Sequence, residues 1–210
     1  MTGPRSYADP CGIARALDVI GERWALLIVR ELVFGPRRFT DLRAALGASP
    51  NVLSQRLGDL EQASVVQRTA SGGSLYELTD WGRELHPILL QLGRWGARSA
   101  HRPQGSISSA ALLLALEATF TPQRAAGLSA TYDLRLDGER FGVRVDAGTI
   151  VVSPGSPRQA DVLIATDANT LRAVVFGDRE LAEAGVETNG DARLVRRFFR
   201  LFARPELSSR

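Results

Sequence analysis

SPNVLSQRLGDL, Ser49 to Leu60, decides the reading of this chain when taken with RFTDL at Arg38–Leu42 just before it. Serine followed by proline is a strong helix start. The Ser49 hydroxyl can accept a first-turn N–H, and Pro50 loses nothing by lacking one. Leu53, Leu57 and Leu60 then recur at helical spacing and define one buried stripe. The opposite face carries Asn51, Gln55, Gly58 and Gln62, flanked by Ser54 and Arg56. It is small, polar and rich in amides, which can pair with the edge of adenine. RFTDLRAAL forms a short amphipathic helix before it, and Gly47–Ala48 forms a tight turn, so the segment reads as a helix-turn-helix. An ordinary helical hairpin with a solvated polar face is the alternative on these residues alone.

The following segment separates the two. Val65–Thr69 and Leu75–Leu78 are short strand-like runs around the Gly/Ser turn ASGGS, residues 70–74. Arg68 sits at the base of this hairpin, and Ser71 and Ser74 lie at its tip. Thr79 then caps another helix. Helix, turn, helix and hairpin is the order of a winged helix, in which the second helix enters the major groove and the wing follows the sugar-phosphate backbone. The candidate DNA-contacting set is Arg37, Arg38, Ser49, Asn51, Ser54, Gln55, Arg56, Arg68, Ser71 and Ser74.

The same residues resemble the HxlR family of bacterial winged-helix transcription regulators. The matching pieces are Cys11, IGERWALLIVREL at Ile20–Leu32, GPRRFTDLRAAL at Gly35–Leu46, SPNVLSQRLGDLE at Ser49–Glu61, YELTDWGREL at Tyr76–Leu85 and LGRWG at Leu92–Gly96. The resemblance covers the first half of the chain. It implies a DNA-binding homodimer whose first and last helices form the interface, acting on an inverted-repeat operator. The wing departs from the family in being short, with Arg68 as its nearby cation. Some members of that family switch through a cysteine at the position of Cys11.

At 210 residues the chain has room for one large or two small domains. All 26 basic residues are arginine, and 23 acids leave a net charge of +3. Residues 1–100 hold 12 arginines against 10 acids, and residues 101–210 hold 14 against 13. A field for nucleic acid must therefore come from local placement, with Arg37, Arg38, Arg43, Arg56 and Arg68 as candidates. Cys11 is the sole cysteine, so no internal disulfide forms; a small thiol buried at a helix start and a redox sensor are the two readings. No apolar run is long enough to span a membrane, and the N-terminus has no apolar signal region, so a cytoplasmic location is expected.

The first half reads as helical. Ile13, Leu17 and Ile20 share one helix face, Ile20–Leu32 is apolar over most of its surface, and Leu85, Ile88, Leu89, Leu92 and Trp95 form a further stripe suited to dimerisation. Composition changes at Arg98–Ser106, which is polar and contains Pro103 and Gly105. The expected division is a winged helix-turn-helix DNA-binding and dimerisation domain over 1–100 and a second domain over 107–210. The second opens with an apolar helix at Ala110–Phe120. Alternating runs at Tyr132–Leu136 and Phe141–Val145 flank the turn signal Asp137–Gly138, and strands follow near Thr149–Val152 and Asp161–Thr166. Helices are expected near Asn169–Phe176 and Asp191–Phe202. The class is α+β, with a small antiparallel sheet.

This order resembles the sterol carrier protein type two fold, on YDLRLDGERFGVRV at Tyr132–Val145, ADVLIATDANTLRAVVFG at Ala160–Gly177 and GDARLVRRFFRLF at Gly190–Phe202. The resemblance implies a shell around an apolar cavity. The candidate ligand residues are Leu112, Leu116, Tyr132, Phe141, Phe176, Phe198 and Phe202. His86 and His101 lack metal-ligand spacing, and no phosphate loop, dinucleotide fingerprint or nucleophile elbow occurs. No catalytic residue, metal or cofactor is expected. Three functions stay open: a repressor controlled by a hydrophobic small molecule in its second domain; a regulator whose second domain is structural, with Cys11 as redox sensor; and a lipid or metabolite carrier or enzyme using its winged helix for protein contacts.

Overall fold

The computed structural model describes residues 6–69, 75–100 and 105–204. The chain divides into two compact units, Met1–Leu89 and Leu90–Arg210. In the first, α1 (Gly12–Ile20) and α2 (Ala25–Leu32) precede a two-residue strand, β1 (Arg37–Arg38). Then come α3 (Phe39–Leu46), α4 (Pro50–Gln62), β2 (Val66–Arg68) and β3 (Leu75–Leu78). A single-turn helix, α5 (Asp80–Arg83), and α6 (Leu85–Gly96) follow.

The apolar run Ile20–Leu32 is not one helix. Trp24 takes a left-handed φ of 81°, which breaks the helical path and lets α2 begin only at Ala25. Hydrophobic periodicity does not record such a backbone conformation. From Ala25 onward Ile28, Val29 and Leu32 are buried with Leu42, Leu46, Leu53, Leu57 and Leu60 in one core. Fully burying each such leucine contributes roughly 1.5–3 kcal/mol, so the core locks α2, α3 and α4 together.

β1, β3 and β2 form a three-stranded antiparallel sheet in that order. The β2–β3 hairpin matches the expected wing strands. Its tip, with Ser71 and Ser74, lies outside the described residues, as does His101. Behind the hairpin, Thr79 caps α5: its hydroxyl accepts from the Gly82 N–H at 3.0 Å and donates to the Ser64 carbonyl at 2.6 Å. This clamp brings Gly82 against β2, where a Cβ would stand 2.1 Å from the Val65 carbonyl oxygen.

The second unit takes in the last part of α6. There the Arg94 Nε donates to the Ala118 carbonyl of α7 (Ser109–Thr119) at 2.7 Å. The unit boundary at Leu89–Leu90 thus falls inside α6, whereas the change in composition comes at Arg98–Ser106. Five strands follow: β4 (Ala130–Leu136), β5 (Glu139–Asp146), β6 (Thr149–Pro154), β7 (Val162–Thr166) and β8 (Glu187–Gly190), in the order β6-β5-β4-β7-β8. Asp137–Gly138 and Ala147–Gly148 all have positive φ, as two-residue hairpin turns demand.

The sheet is mixed and not purely antiparallel. β4 and β7 pair in parallel, because the chain crosses over between β6 and β7. β8 was not legible: ETNG is polar and fully exposed, an edge strand with no alternation. α8 (Ala168–Phe176) is capped by Asp167, which accepts from the Thr170 N–H at 2.9 Å. Hydrogen bonds from Thr170, through its hydroxyl and then its N–H, hold the Asp167 carboxyl below its usual range. α9 (Ala192–Phe198) is shorter than expected. After it the chain turns back, so that Phe202 bridges Phe120 in an antiparallel pair.

Replacing Gly82 with alanine is expected to destabilise the first unit by about 1–3 kcal/mol through overpacking against the Val65 carbonyl. Gly58→Ala, on the open face of α4 with nothing within 4 Å of the added Cβ, is expected to be neutral or stabilising by up to about 1 kcal/mol. Urea denaturation of both variants checks the contrast; equal midpoints would refute the close approach.

Candidate nucleic-acid interface

α3 and α4 meet through Gly47, whose φ of 64° ends α3 and whose N–H donates to the Arg43 carbonyl at 2.9 Å. A left-handed residue at a helix end suits glycine, and it turns the chain without lengthening the loop. Ala48 is buried and Ser49 caps α4, accepting from the Val52 N–H at 3.5 Å. Pro50 is the first helical residue. These contacts fix where α4 starts, and burial of Leu53, Leu57 and Leu60 fixes its rotation.

With that stripe inward, Asn51, Ser54, Gln55, Gly58 and Gln62 are all exposed. One residue of this face was missed. Val52 is 38% exposed beside Asn51, away from the leucine stripe, and supplies an apolar surface of the kind that meets a thymine methyl. Its signal was an apolar residue out of phase with the leucines.

The cations behave differently from one another. Arg56 is only 15% exposed; its guanidinium pairs with Asp59 at 2.8 Å and with Glu22 at 3.4 Å. Its Nε is buried without a hydrogen-bond partner among the described residues. Arg56 therefore braces α4 against the α1–α2 turn. Arg38 is exposed at the start of α3, and neither it nor Arg43 has a carboxylate partner among the described residues. Its backbone N–H donates to the Asp41 carboxylate at 3.3 Å, which anchors the helix start and leaves the guanidinium outward.

Arg37 and Arg68 both stand opposite Tyr76 across the small sheet. The Arg68 guanidinium lies 5.2 Å from the Tyr76 ring centre and 3.2 Å from the Glu61 carboxylate. It is an exposed cation held between α4 and the wing. Exposed pairs of this kind are weak, on the order of 0–1 kcal/mol, so a competing phosphate can displace the carboxylate.

Another surface of this unit is apolar. A groove of about 400 Å³ is lined by Ala16, Val19, Ile20, Trp81, Leu85 and Ile88 among others. Ile88 in its lining is 52% exposed, and Ile13 on α1 is 73% exposed. Farther along α6, Trp95 is 74% exposed. Leu89 instead packs on its own core, as does Ile20 in part. Trp81 was not anticipated here; the one-turn helix α5 turns it outward. Cys11 precedes α1 and is exposed, so the buried-thiol reading is corrected: its N–H is held by the Asp9 carboxylate at 2.8 Å, which keeps the helix start outside the core.

Among the described residues, no group of three or more His, Cys, Asp or Glu is placed to hold a metal ion. No described helix is long and apolar enough to cross a membrane.

A family model described as HxlR-like helix-turn-helix matches residues 19–104. The uncharacterized HTH-type transcriptional regulator YvaP of Bacillus subtilis (strain 168) is 41% identical over 86 residues, 39% of this chain and 80% of that protein. The uncharacterized HTH-type transcriptional regulator Rv3095 of Mycobacterium tuberculosis is 39% identical over 97 residues, 44% of this chain. The match spans 61% of that mycobacterial relative's length. Among solved structures, the redox regulator HypR in its oxidized form is 30% identical, with a TM-score of 0.40 over 45% of this chain and 100% of that one. The chain belongs to the HxlR-like helix-turn-helix family.

The different settings of Arg56 and Arg38 separate stability from surface charge. Arg56→Ala is expected to lower unfolding stability by about 1 kcal/mol through loss of the brace between α4 and the α1–α2 turn. Arg38→Ala is expected to leave stability within about 0.5 kcal/mol of the parent. Denaturant titration decides this; an unchanged midpoint for Arg56→Ala would remove its bracing role.

Proposed function

We propose that this HxlR-like protein is a DNA-binding transcription regulator, acting as a homodimer and repressor on an inverted-repeat operator. The observation that carries the reading is α4. Its leucine stripe is consumed by the core, and what remains outside is Asn51, Val52, Ser54 and Gln55 on a rigid, capped helix. Amides pair with adenine edges in the major groove, and Val52 suits a thymine methyl. Arg38 and Arg68 take phosphates, with Arg37 beside Arg38 on β1 and Ser49 at the start of α4 as further backbone contacts.

A second copy of the chain is the proposed occupant of the apolar groove. Exposed Trp81 and Ile88 in the groove, with Ile13 and Leu17 exposed on α1, are apolar surface that a monomer leaves in water at a cost. A two-fold dimer places two recognition helices about one DNA turn apart and so selects an inverted repeat.

The second unit is proposed to hold a small-molecule effector in the manner of a sterol-carrier-like domain. Of the seven residues named for it, Leu112, Leu116, Tyr132, Phe141, Phe198 and Phe202 are buried, and Phe176 is half-buried. Burial of the Tyr132 hydroxyl raises its pKa to about 12, so it stays a neutral phenol at physiological pH. Tyr132, Phe198 and Phe202 form a ring cluster with centroid spacings of 4.9 and 5.3 Å. Phe202 also reaches an open cleft of this unit, where an apolar ligand body would meet the cluster.

Asn51→Ala or Gln55→Ala is expected to weaken a specific operator by about 1–3 kcal/mol, roughly 5- to 150-fold, while sparing random duplex. Arg38→Ala or Arg68→Ala is expected to weaken all duplexes alike and reduce the salt slope by about one. Equal losses on operator and random DNA for both amide variants would remove α4 from base readout.

Ile88→Arg is expected to give a monomer in sedimentation and to lose operator affinity, because it sets a charge into the groove. Leu89→Arg tests a different thing, since Leu89 packs on its own core. An Ile88→Arg protein that stays dimeric and binds operator normally would refute this interface.

A further inference from the structure

Near-equal charge in the two halves hides a local concentration. ARLVRRFFRLFAR, residues 192–204, holds five arginines and no acid in thirteen residues. In the fold they do not spread over the surface. Arg193, Arg196, Arg197, Arg200 and Arg204 line one cleft with Arg124, which approaches from the 3-10 turn Pro122–Ala125. The cleft measures about 1040 Å³, and no carboxylate among the described residues lines it. Val174, Val175, Phe199 and Phe202 supply its apolar wall.

Three of the six guanidiniums have structural work. Arg124 donates to the Phe202 carbonyl at 2.7 Å and so holds the returning segment after α9. Arg197 donates to the Ala126 carbonyl. Arg204 pairs with Asp178 at 2.8 Å and donates to the Gly177 carbonyl. Arg193, Arg196 and Arg200 are different. They are exposed, and no ion pair or side-chain hydrogen bond engages them among the described residues. Arg193 and Arg196 stand about 4.5 Å apart along the α9 axis, and Arg200 follows one turn later. Like charges gathered in a concave, partly apolar site repel one another unless a counter-charge is present, and a cleft focuses their field.

We infer that this cleft binds a small organic molecule carrying two or more phosphate groups. A planar guanidinium matches a phosphate with two parallel hydrogen bonds and keeps its charge at any accessible pH. Two such forks on α9 and a third two residues past its end exceed what a single charged group can use, so the ligand carries several. The wall of Val174, Val175, Phe199 and Phe202 asks for an apolar body attached to them. The volume is at the upper end of small-molecule sites, about 300–1000 Å³. The inference gives a ligand class to the effector site proposed above. It rests on that reading only for its regulatory consequence, because binding is measured without DNA.

The test is calorimetric titration of the full chain with tripolyphosphate, and separately with citrate as a polycarboxylate of similar charge. One saturable tripolyphosphate site per chain is expected, about ten-fold or more tighter than citrate. Arg196→Glu/Arg200→Glu is expected to weaken it by about ten-fold or more, Arg196→Gln/Arg200→Gln by less, and Arg144→Glu, outside the cleft, not at all. Arg144, Arg196 and Arg200 are all exposed, and an unchanged thermal midpoint checks the fold. Absence of saturation, equal affinity for citrate, or an equal loss in Arg144→Glu would overturn the site. So would a loss of random-duplex affinity in Arg196→Glu/Arg200→Glu, which would assign these arginines to the DNA backbone. Operator loss confined to the Asn51 and Gln55 variants leaves this result untouched, so failure of the DNA reading and failure of the cleft are distinguishable.

Discussion

Leu53, Leu57 and Leu60 recur at spacings of four and three, and a helix that buries all three has one permitted rotation about its axis. That constraint decides what α4 offers to solvent. It also explains why the α3–α4 turn is so closely determined. Gly47 must take the left-handed conformation, Ala48 must be small enough to bury, and Ser49 must cap, or the leucines would fall out of register with Ile28 and Leu42. The proposed readout chemistry is then a by-product of packing: residues that cannot help the core are free to be Asn, Ser and Gln.

The same logic shows how much could be read from the residues. Stripes, caps and two-residue turns are local, and local rules recovered α4, the wing strands, α7, the Asp137–Gly138 turn of the second sheet and α8 within a residue or two. Features set by distant partners were not recoverable. Trp24 breaks an apolar run through a backbone conformation that no periodicity records. The parallel pairing of β4 with β7 depends on a crossover, and β8 gains its place from β7 and not from its own polar sequence. The candidate site divides likewise. Asn51, Ser54 and Gln55 were legible because burial of their neighbours exposes them. Arg56 was not, because Glu22 is thirty-four residues away in the chain.

Charge follows a related rule. A net charge of +3 over 210 residues says little about where anions bind, since acids and arginines nearly cancel. What counts is whether each guanidinium has a carboxylate in reach. Arg56 has two, and Arg68 has one that is exposed and exchangeable. Arg38, Arg193, Arg196 and Arg200 have none among the described residues. Sorting the arginines this way separates those that hold the fold from those that can hold a ligand, and it does so without a bulk electrostatic argument.

Small contacts must be multiplied to become a regulator. One amide pair supplies on the order of 1–3 kcal/mol, too little to select an operator against a genome of competing sites. In the proposed dimer two copies of α4 act on one DNA, and the groove around Ile88 becomes the joint that fixes their spacing. The ligand proposed for the second unit would then alter DNA binding only by the difference in its affinity for DNA-competent and DNA-incompetent dimers, however tightly it binds either. Anything that biases the joint is leveraged, because a change in spacing misplaces two recognition helices at once. The proposed effector therefore need not approach the candidate DNA-contacting residues; a modest preference between two dimer geometries is enough.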